Sequence, residues 1–256
     1  MRTDVNAFLG AYPFRRVPRT SPEAVLAAMD RTKIDEAWVS HLPSVFWRDP
    51  AAGNAWLYEA SSRYPRLKPV PAVHPGLPGW EDVLAEAASR AVPAVRCDPT
   101  FYGLDPMGSE MRVLAAACGT TRVPLLLAVR FEDARQRHPR DTSPELPAAA
   151  VRALLRADGD VRLVVTHAGR EFVEEVHFGS TPDEAARVWW DIAWIWGPPE
   201  DHLATLLTTV GAERFVFGTG QPLRIPEASA AKLDLLDLDA GLRAAIDSGN
   251  AAKLGT

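Results

Sequence analysis

The sequence has few cysteines and no secretory signal, and both absences narrow its class. Only Cys97 and Cys118 occur among the 256 residues, and neither belongs to a CxxC pair or a Cys/His cluster. This pattern predicts no structural zinc site and no structural disulfide, and it is typical of a reducing compartment. The N-terminus lacks a basic segment followed by an apolar stretch. We therefore expect a cytoplasmic protein.

Long apolar runs and basic clusters are also missing, which excludes two kinds of partner. No apolar run is long enough to cross a bilayer. The 28 basic residues are scattered, and the formal net charge is −5. These features argue against nucleic acid or an anionic membrane as the main partner. We expect a small molecule instead.

Strand and helix signals alternate through the whole chain, whose length and 47% hydrophobic content suit one large domain or two small ones. Predicted strands cover residues 4–10, 36–41, 67–74, 94–98, 123–130, 161–167, 188–194 and 214–218. Predicted helices cover residues 22–29, 54–64, 80–90, 109–118, 144–156, 182–187, 200–210, 226–236 and 239–253. This alternation predicts the α/β class and one (β/α)8 TIM barrel, a single domain over residues 1–256.

A doubly wound open sheet is the rival for any such repeat. It usually carries a glycine-rich phosphate loop after its first strand. The segment Gly10-Ala11-Tyr12-Pro13 is not such a loop. We therefore prefer the barrel.

Several short motifs, in order and spacing, carry a family resemblance. They are Asp4 to Gly10 with Pro13-Phe14, Asn54 to Pro69, Val95-Arg96, Thr166-His167-Ala168-Gly169, Gly211 to Pro222, and Gly249 to Leu254. With them the chain resembles the amidohydrolase superfamily, in its amidohydrolase-related branch of hydrolases and decarboxylases. The resemblance implies an active site at the C-terminal mouth of the barrel.

The resemblance also implies a metal cage that this sequence does not keep. The family takes two histidines from strand one, one each from strands five and six, and an aspartate from strand eight. The matching positions here are Asn6, Phe8, Ala128, His167 and Gly220. A catalytic zinc needs about three protein ligands, and only His167 survives. We predict no tightly bound metal and no other cofactor.

Three residues are the candidate catalytic groups. His167 ends an apolar strand, and an imidazole without a metal can act as an acid or base near neutral pH. Asp191 is a charge in an aromatic strand, which is costly unless it is paired or functional; it can orient His167 or pair with Arg130. Arg130 is suited to a substrate carboxylate. The alternative for His167 is a relic histidine bonded to the backbone.

Further strand-end residues are candidates for substrate binding: Asn6, Phe8, Arg96, Asp98, Trp194, Gln221 and Arg224. Some have simpler explanations, since Arg96 can pair with Asp98 and Arg224 can be solvated. His41 and His74 are better explained as loop or packing residues.

The tryptophan-rich run 189–196 has two possible orientations. With a period of two, Trp190, Trp194 and Trp196 have the parity opposite to Asp191. If Asp191 points inward, most of these tryptophans pack against the helices. Trp194 and Trp196, near the strand end, can instead line a pocket for a flat ligand.

Three functional hypotheses follow. The first is a metal-independent hydrolase or decarboxylase-type lyase that acts on a small carboxylate-bearing or aromatic molecule by His/Asp acid-base chemistry. The second is a non-catalytic protein that binds a small molecule or an active partner. The third, a metal hydrolase with unexpected ligands, requires His74, Asp98, His167 and Asp191 to converge. The resemblance and the tryptophan-rich run are also compatible with a homodimer.

Overall fold

Eight parallel strands, one for each predicted strand, lie within residues 1–254, the part of the chain that the computed structural model describes. The end of the predicted domain, residues 255 and 256, lies outside it. The strands are β1 (Thr3–Leu9), β2 (Glu36–His41), β3 (Leu67–Pro69), β4 (Val95–Arg96), β5 (Leu125–Ala128), β6 (Leu163–Thr166), β7 (Val188–Asp191) and β8 (Phe215–Val216).

Most strands are shorter than predicted. The third predicted strand, residues 67–74, keeps only three residues in β3, because Pro69 and Pro71 have no N–H to donate to a neighbouring strand. The predicted strand 188–194 ends at Asp191, so Trp194 and Trp196 belong to the following loop.

The strands form two sheets that meet at both edges. One sheet has the order β1-β2-β3 and the other β4-β5-β6-β7-β8. An isolated bridge from Ala72 to Arg96 joins the segment after β3 to β4, and one from Ala7 to Gln221 joins the segment after β8 to β1. This order is that of the predicted TIM barrel of the α/β class, with short irregular contacts at its two seams.

Helices surround the strands within residues 1–254. They are α1 (Pro22–Thr32), α2 (Asn54–Arg63), α3 (Trp80–Ser89), α4 (Ser109–Thr121), α5 (Ala148–Ala157), α6 (Arg170–Phe178), α7 (Pro182–Ala185), α8 (His202–Leu206), α9 (Pro226–Asp234), α10 (Ala240–Ala244) and α11 (Asn250–Leu254). Ser21 caps α1, and Pro22 is its first residue, where the predicted helix 22–29 also begins.

The helix predictions differ from the structure at four places. No helix was predicted at α6, which has nine residues and buries only Val173 and Val176. The predicted helix 144–156 begins at Ala148, directly after Pro147. The predicted helices 200–210 and 239–253 each contain a five-residue π-helical segment.

The barrel interior is packed in layers. The lower layer takes one apolar residue from the region of each strand: Val5, Trp38, Val70, Ala94, Leu126, Val164, Trp189 and Val216. Ala251 and Leu254 of α11 pack against this layer. Since side chains alternate along a strand, the next inward layer toward the C-terminal mouth contains Ser40, Arg96, Ala128, Thr166, Asp191 and Gly218.

Two further findings concern the absences in the sequence. Cys97 and Cys118 are both buried and free. Among residues 1–254, no helix has both the length and the apolar character that a membrane crossing needs.

Candidate active site

A polar cluster fills the upper layer of the barrel interior. It consists of Asn6, Ser40, Arg96, His167 and Asp191, and we call it the Asn6 cluster. Each of the five is at most 3% exposed. A shift in the register of β1 between Asp4 and Ala7 accounts for the inward position of Asn6 directly after the inward Val5.

The Asn6 carboxamide is the centre of this cluster. Its Nδ2 lies 2.9 Å from Nε2 of His167 and donates to Oδ2 of Asp191 at 2.8 Å. Its Oδ1 accepts from Nη2 of Arg96 at 2.9 Å. A guanidinium group only donates, so this contact fixes which end of the amide faces which neighbour. The side chain thus connects groups from three other strands or strand ends.

The hydrogen bonds also fix the tautomer of His167. Nδ1 lies 2.7 Å from the carbonyl oxygen of Arg130, which only accepts, so Nδ1 carries the proton. Nε2 is left with a lone pair that accepts from Asn6. The backbone N–H of His167 donates to Oδ1 of Asp191 at 2.8 Å, so Asp191 orients His167 through its backbone. The φ of His167 is 58°, a left-handed conformation uncommon outside glycine.

Burial dominates the ionisation of the cluster. It lowers the pKa of His167 to about 3, with the charge of Arg224 acting in the same direction. It raises the pKa of Asp191 to about 6, against hydrogen bonds from His167 and Asn6 that lower it. Consequently His167 is neutral at pH 7, and Asp191 is the member whose pKa lies close to neutral.

Arg96 provides the positive charge of the cluster. Its Nε donates to Ser40 at 2.9 Å, and its guanidinium lies 4.6 Å from the centre of the Phe8 ring. Nη1 is 3.7 Å from Oδ1 of Asp98, so the predicted pairing with Asp98 is confirmed as an ion pair. Burial raises the pKa of Asp98 to about 6, while the charge of Arg96 acts in the opposite direction.

Aromatic rings close the cluster toward the mouth. The centroids of Phe8, Phe131 and Trp194 lie 6.4, 6.1 and 5.6 Å from that of His167. Phe8 and Phe131 belong to an apolar group that also includes Tyr12, Val17, Leu42, Val45 and Ala128. As a result His167 is 0% exposed.

A cavity of about 650 Å³ lies beside this aromatic layer, and we call it the Trp194 cavity. Its wall includes Phe131, Trp194 and Trp196, together with Arg224 after β8 and Lys232 on α9. The Arg224 guanidinium lies 3.6 Å from the centre of the Trp194 ring. The indole of Trp194 therefore separates His167 from the cavity.

The side chains of two further predicted site residues, Arg130 and Gln221, lie apart from the Asn6 cluster. Arg130 does not pair with Asp191, since its Nη2 lies 2.9 Å from Glu145; its guanidinium is 5.5 Å from the centre of the Trp194 ring. Gln221 donates to Asp4 at 3.1 Å.

The histidine and tryptophan expectations have clear outcomes. His74 stacks on Tyr102, and His41 contacts Ser44 and two tryptophans, as loop or packing residues do. Trp190 lies in the layer between strands and helices and contacts Phe172, as expected when Asp191 points inward.

Sequence reasoning missed Ser40, Asp4 and Lys232. Ser40 lies two residues after the inward Trp38 of β2, which is a weak signal, whereas Asp4 directly precedes the inward Val5 and gives no such signal. Burial raises the pKa of Asp4 to about 7 although it accepts four hydrogen bonds from Asn6, Thr219 and Gln221. Lys232 is on a surface helix, and nothing in its local sequence indicates a cavity.

Two glycines provide the space for the acidic and imidazole groups. A Cβ on Gly218 would lie 2.7 Å from Cβ of Asp191. A Cβ on Gly220 would lie 2.7 Å from Nε2 of His167, and the φ of Gly220 is +70°. Any side chain at Gly220 would therefore displace His167 or be strained itself.

The residues present do not fit the metal that the family resemblance implies. The lone pair of His167 Nε2 is already bonded to Asn6, and the Phe8 ring and the Arg96 cation lie beside it. In residues 1–254 no group of three or more His, Cys, Asp and Glu side chains is arranged to hold a metal ion. The third hypothesis, a metal site of His74, Asp98, His167 and Asp191, is therefore wrong.

Solved structures with the same fold are hydrolases and decarboxylases. A 5-carboxyvanillate decarboxylase from Sphingomonas paucimobilis is 13% identical, with a TM-score of 0.76 over 99% of this chain and 98% of that one. A dihydroxybenzoic acid decarboxylase from Polaromonas sp., with bound manganese and 2-nitroresorcinol, is 13% identical, with a TM-score of 0.75 over 99% and 96%. A putative 2-pyrone-4,6-dicarboxylic acid hydrolase from Pseudomonas putida is 21% identical, with a TM-score of 0.71 over 99% and 97%.

The likeness to these structures shows that the fold is a TIM barrel of the α/β class. The family model described as amidohydrolase matches residues 7–254. The chain belongs to this amidohydrolase family, which confirms the resemblance seen in the sequence. No curated protein sequence matches the chain.

Proposed function

We propose that this chain is a metal-independent enzyme of hydrolase or decarboxylase type, acting on a small carboxylate-bearing or aromatic molecule at the barrel mouth. One observation carries the proposal: a buried charged cluster, with a carboxyl pKa near neutral, lies behind a ligand-sized cavity at the C-terminal end of the strands. Active sites of TIM barrels occupy this end. Groups with shifted pKa values next to a cavity are candidates for catalysis.

Arg224 and Trp194 are the proposed substrate-binding pair. The guanidinium packs on the indole, which holds it at the cavity wall and leaves its N–H groups to bind an anion. The names of the related proteins support a carboxylate ligand, since 5-carboxyvanillate, dihydroxybenzoic acid and 2-pyrone-4,6-dicarboxylic acid all carry one.

In this proposal the Asn6 cluster handles the proton. Asp191, with a pKa of about 6, exchanges a proton near neutral pH. His167 accepts a proton at Nε2 only after a polar group of the ligand replaces the Asn6 amide there. Trp194 must also move, because it covers His167. Arg130 contributes through its carbonyl, which keeps the proton of the neutral imidazole on Nδ1.

Binding without catalysis is the second candidate, favoured by a specific observation. Both ring nitrogens of His167 are hydrogen-bonded, and its pKa of about 3 makes it a weak base at neutral pH. A ligand in the Trp194 cavity can bind while the Asn6 cluster stays closed. The predicted homodimer and cytoplasmic location remain predictions in both cases.

Metal-free protein and a panel of aromatic carboxylates test the proposal. Binding of benzoate and 2,6-dihydroxybenzoate is measured by calorimetry, and loss of carbon dioxide or ester hydrolysis is followed over the same panel. We expect Arg224→Met to weaken binding about tenfold, the effect of losing a charge-assisted contact. Arg135→Gln is the matched control, since Arg135 lines the same cavity but is bonded to Asp133.

The outcomes separate the two candidates. Turnover that His167→Gln abolishes, with binding retained, supports the enzyme. Binding without turnover of any compound favours the second candidate. Unchanged affinity in Arg224→Met contradicts the ligand site, and full turnover in His167→Gln contradicts the role of His167.

A further inference from the structure

Around the Trp194 cavity, most carboxylates are paired with a cation, but two of the cations have no carboxylate partner among residues 1–254. Glu132 is bound by Arg15 at 2.7 Å, and Asp133 by Arg135 at 2.9 Å. Only Glu200, exposed at the rim, has no cation within 4 Å among residues 1–254. The acidic side of the wall is thus largely neutralised by arginines of its own.

Arg224 is a cation of this wall without a carboxylate partner. Its guanidinium lies against the Trp194 ring, and in the described part of the chain it forms no ion pair. Its buried Nε has no hydrogen-bond acceptor there either. A buried donor without an acceptor lowers the stability of the folded protein. An anionic ligand atom that accepts a hydrogen bond from Arg224 would remove this penalty.

Lys232 is the second such cation. Its Nζ donates to the carbonyl oxygens of Ile192 and Ala193 at 2.9 and 2.8 Å, which uses two of the three donors of an ammonium group. Residues 1–254 provide no carboxylate within 4 Å of it. Burial lowers its pKa to about 8; the charge of Asp191 acts against this shift, and the charge of Arg224 acts in the same direction as burial. The third donor of Lys232 is therefore available for an anion.

Apolar groups lie in the same wall as these two cations. The wall includes Phe131, Trp194, Leu223 and Ile225 in addition to Arg224 and Lys232. Such a surface suits a flat ring, while the two cations suit anionic substituents on it. The two positive charges repel each other, and a ligand with two negative charges relieves this repulsion more than a ligand with one.

From this arrangement we infer that the Trp194 cavity takes an aromatic ligand with two separated anionic groups, one bound by Arg224 and the other by Lys232. The inference rests on the proposed function, which requires only one carboxylate, and narrows its substrate class. Lys232 is here a residue that determines specificity. By holding the carbonyls of residues 192 and 193, it also positions the loop that carries Trp194.

Isophthalate and benzoate are the probes, because they differ by one carboxylate on the same ring. We expect calorimetry at pH 7 to give isophthalate about tenfold higher affinity than benzoate, as one more charge-assisted contact implies. Lys232→Met should reduce this preference to about twofold or less. Lys232→Arg keeps the charge and the donors and should keep most of the preference, and Arg135→Gln should leave it unchanged.

The folded state of each variant is checked by thermal unfolding and Trp fluorescence, so that a displaced Trp194 loop is not mistaken for a lost contact. Equal affinity for the two probes in the wild type overturns the inference and leaves the proposed function standing. A preference that survives in Lys232→Met overturns it as well. If neither probe nor any other aromatic carboxylate binds, the proposed ligand site fails together with the inference.

Discussion

The Asn6 cluster and the Trp194 cavity adjoin each other at the same end of the barrel, yet their polar groups differ. Those of the cluster bond mostly to one another, except that Nη1 of Arg96 has only the 3.7 Å ion pair with Asp98. In the cluster, the Asn6 amide and both ring nitrogens of His167 have hydrogen-bond partners, and every member is buried. In the cavity wall, Arg224 and Lys232 have no carboxylate partner within residues 1–254. The Trp194 indole separates the two regions.

Because of this difference, we expect the two regions to have different roles in ligand binding. Buried polar groups that bond to one another form a rigid and specific core. A ligand must replace these hydrogen bonds before it can bind there. Unpaired cations beside an apolar wall favour recognition of an anion. In the proposed function, the ligand therefore binds at the loop after β7, at Arg224 and at α9, and not at the centre of the barrel.

The largest effect is expected when the hydrogen bonds of the Asn6 cluster are broken. Asn6→Ala leaves Nε2 of His167, Oδ2 of Asp191 and Nη2 of Arg96 without their partner. We expect the free energy of unfolding to fall by about 3–5 kcal/mol, measured by urea denaturation. Asn54→Ala is the control, a buried asparagine bonded only to the backbone of Ala72, and it should cost less. A cost for Asn6→Ala no greater than that of the control would contradict the central role of Asn6.

A smaller effect is expected where the cluster is only compressed. Gly220→Ala brings a methyl group to 2.7 Å from His167 Nε2 at a positive φ. Gly103 has a φ of +69° with nothing within 4 Å of its added Cβ, so Gly103→Ala measures the backbone strain alone, about 1–2 kcal/mol. Gly220→Ala should cost about 1–3 kcal/mol more in thermal unfolding, because His167 must move. An equal loss of stability in the two variants would show that His167 moves aside without an energetic penalty.

The ionisation of His167 tests how closed the cluster is. The unfolded chain binds a proton at this residue below about 6.5, whereas the folded chain does so only near 3. His167 therefore makes stability fall as the pH is lowered through this window. The raised pKa of Asp191 acts oppositely, since its contribution to stability is lost as the pH rises from 3.8 to about 6. Nitrogen NMR should find His167 neutral and protonated on Nδ1 from pH 5 to 8, with His167→Gln assigning the signal. Titration near 6.5 would refute the closed cluster.

The smallest expected effect is that of a metal chelator. Because the cluster fits no cation, prolonged EDTA treatment should change the midpoint of thermal unfolding by less than about 1 °C, and added manganese or zinc should not raise it. Metal analysis of protein purified without added metal gives the independent measurement. Stoichiometric metal, or a clear loss of stability in EDTA, would show that the Asn6 cluster binds a metal ion and would contradict the closed state described for it.

The sequence indicated many residues of the candidate site, but it did not indicate which of them contact one another. The motifs around His167 and Gly220 located the lost metal positions. The period of two left two orientations for Asp191, and the structure has the inward one. The partners were harder to foresee. Arg130 was a candidate partner of Asp191, but its Nη2 lies 2.9 Å from Glu145, which is in the same segment between β5 and α5. Gln221, expected at the ligand, is bound to Asp4. Side chains on different strands meet by barrel geometry, and local sequence carries no record of that.

The sequence by itself determined the alternation of strands and helices, hence the barrel, because hydrophobic periodicity and turn residues are local signals. It also determined the absence of the metal ligands, because identities at motif positions are read directly. Only the tertiary structure decided that Asn6 bonds His167, Asp191 and Arg96 at once, and that Trp194 separates this cluster from a cavity with two unpaired cations. Those facts depend on distances between residues far apart in the chain, which the closure of the barrel sets.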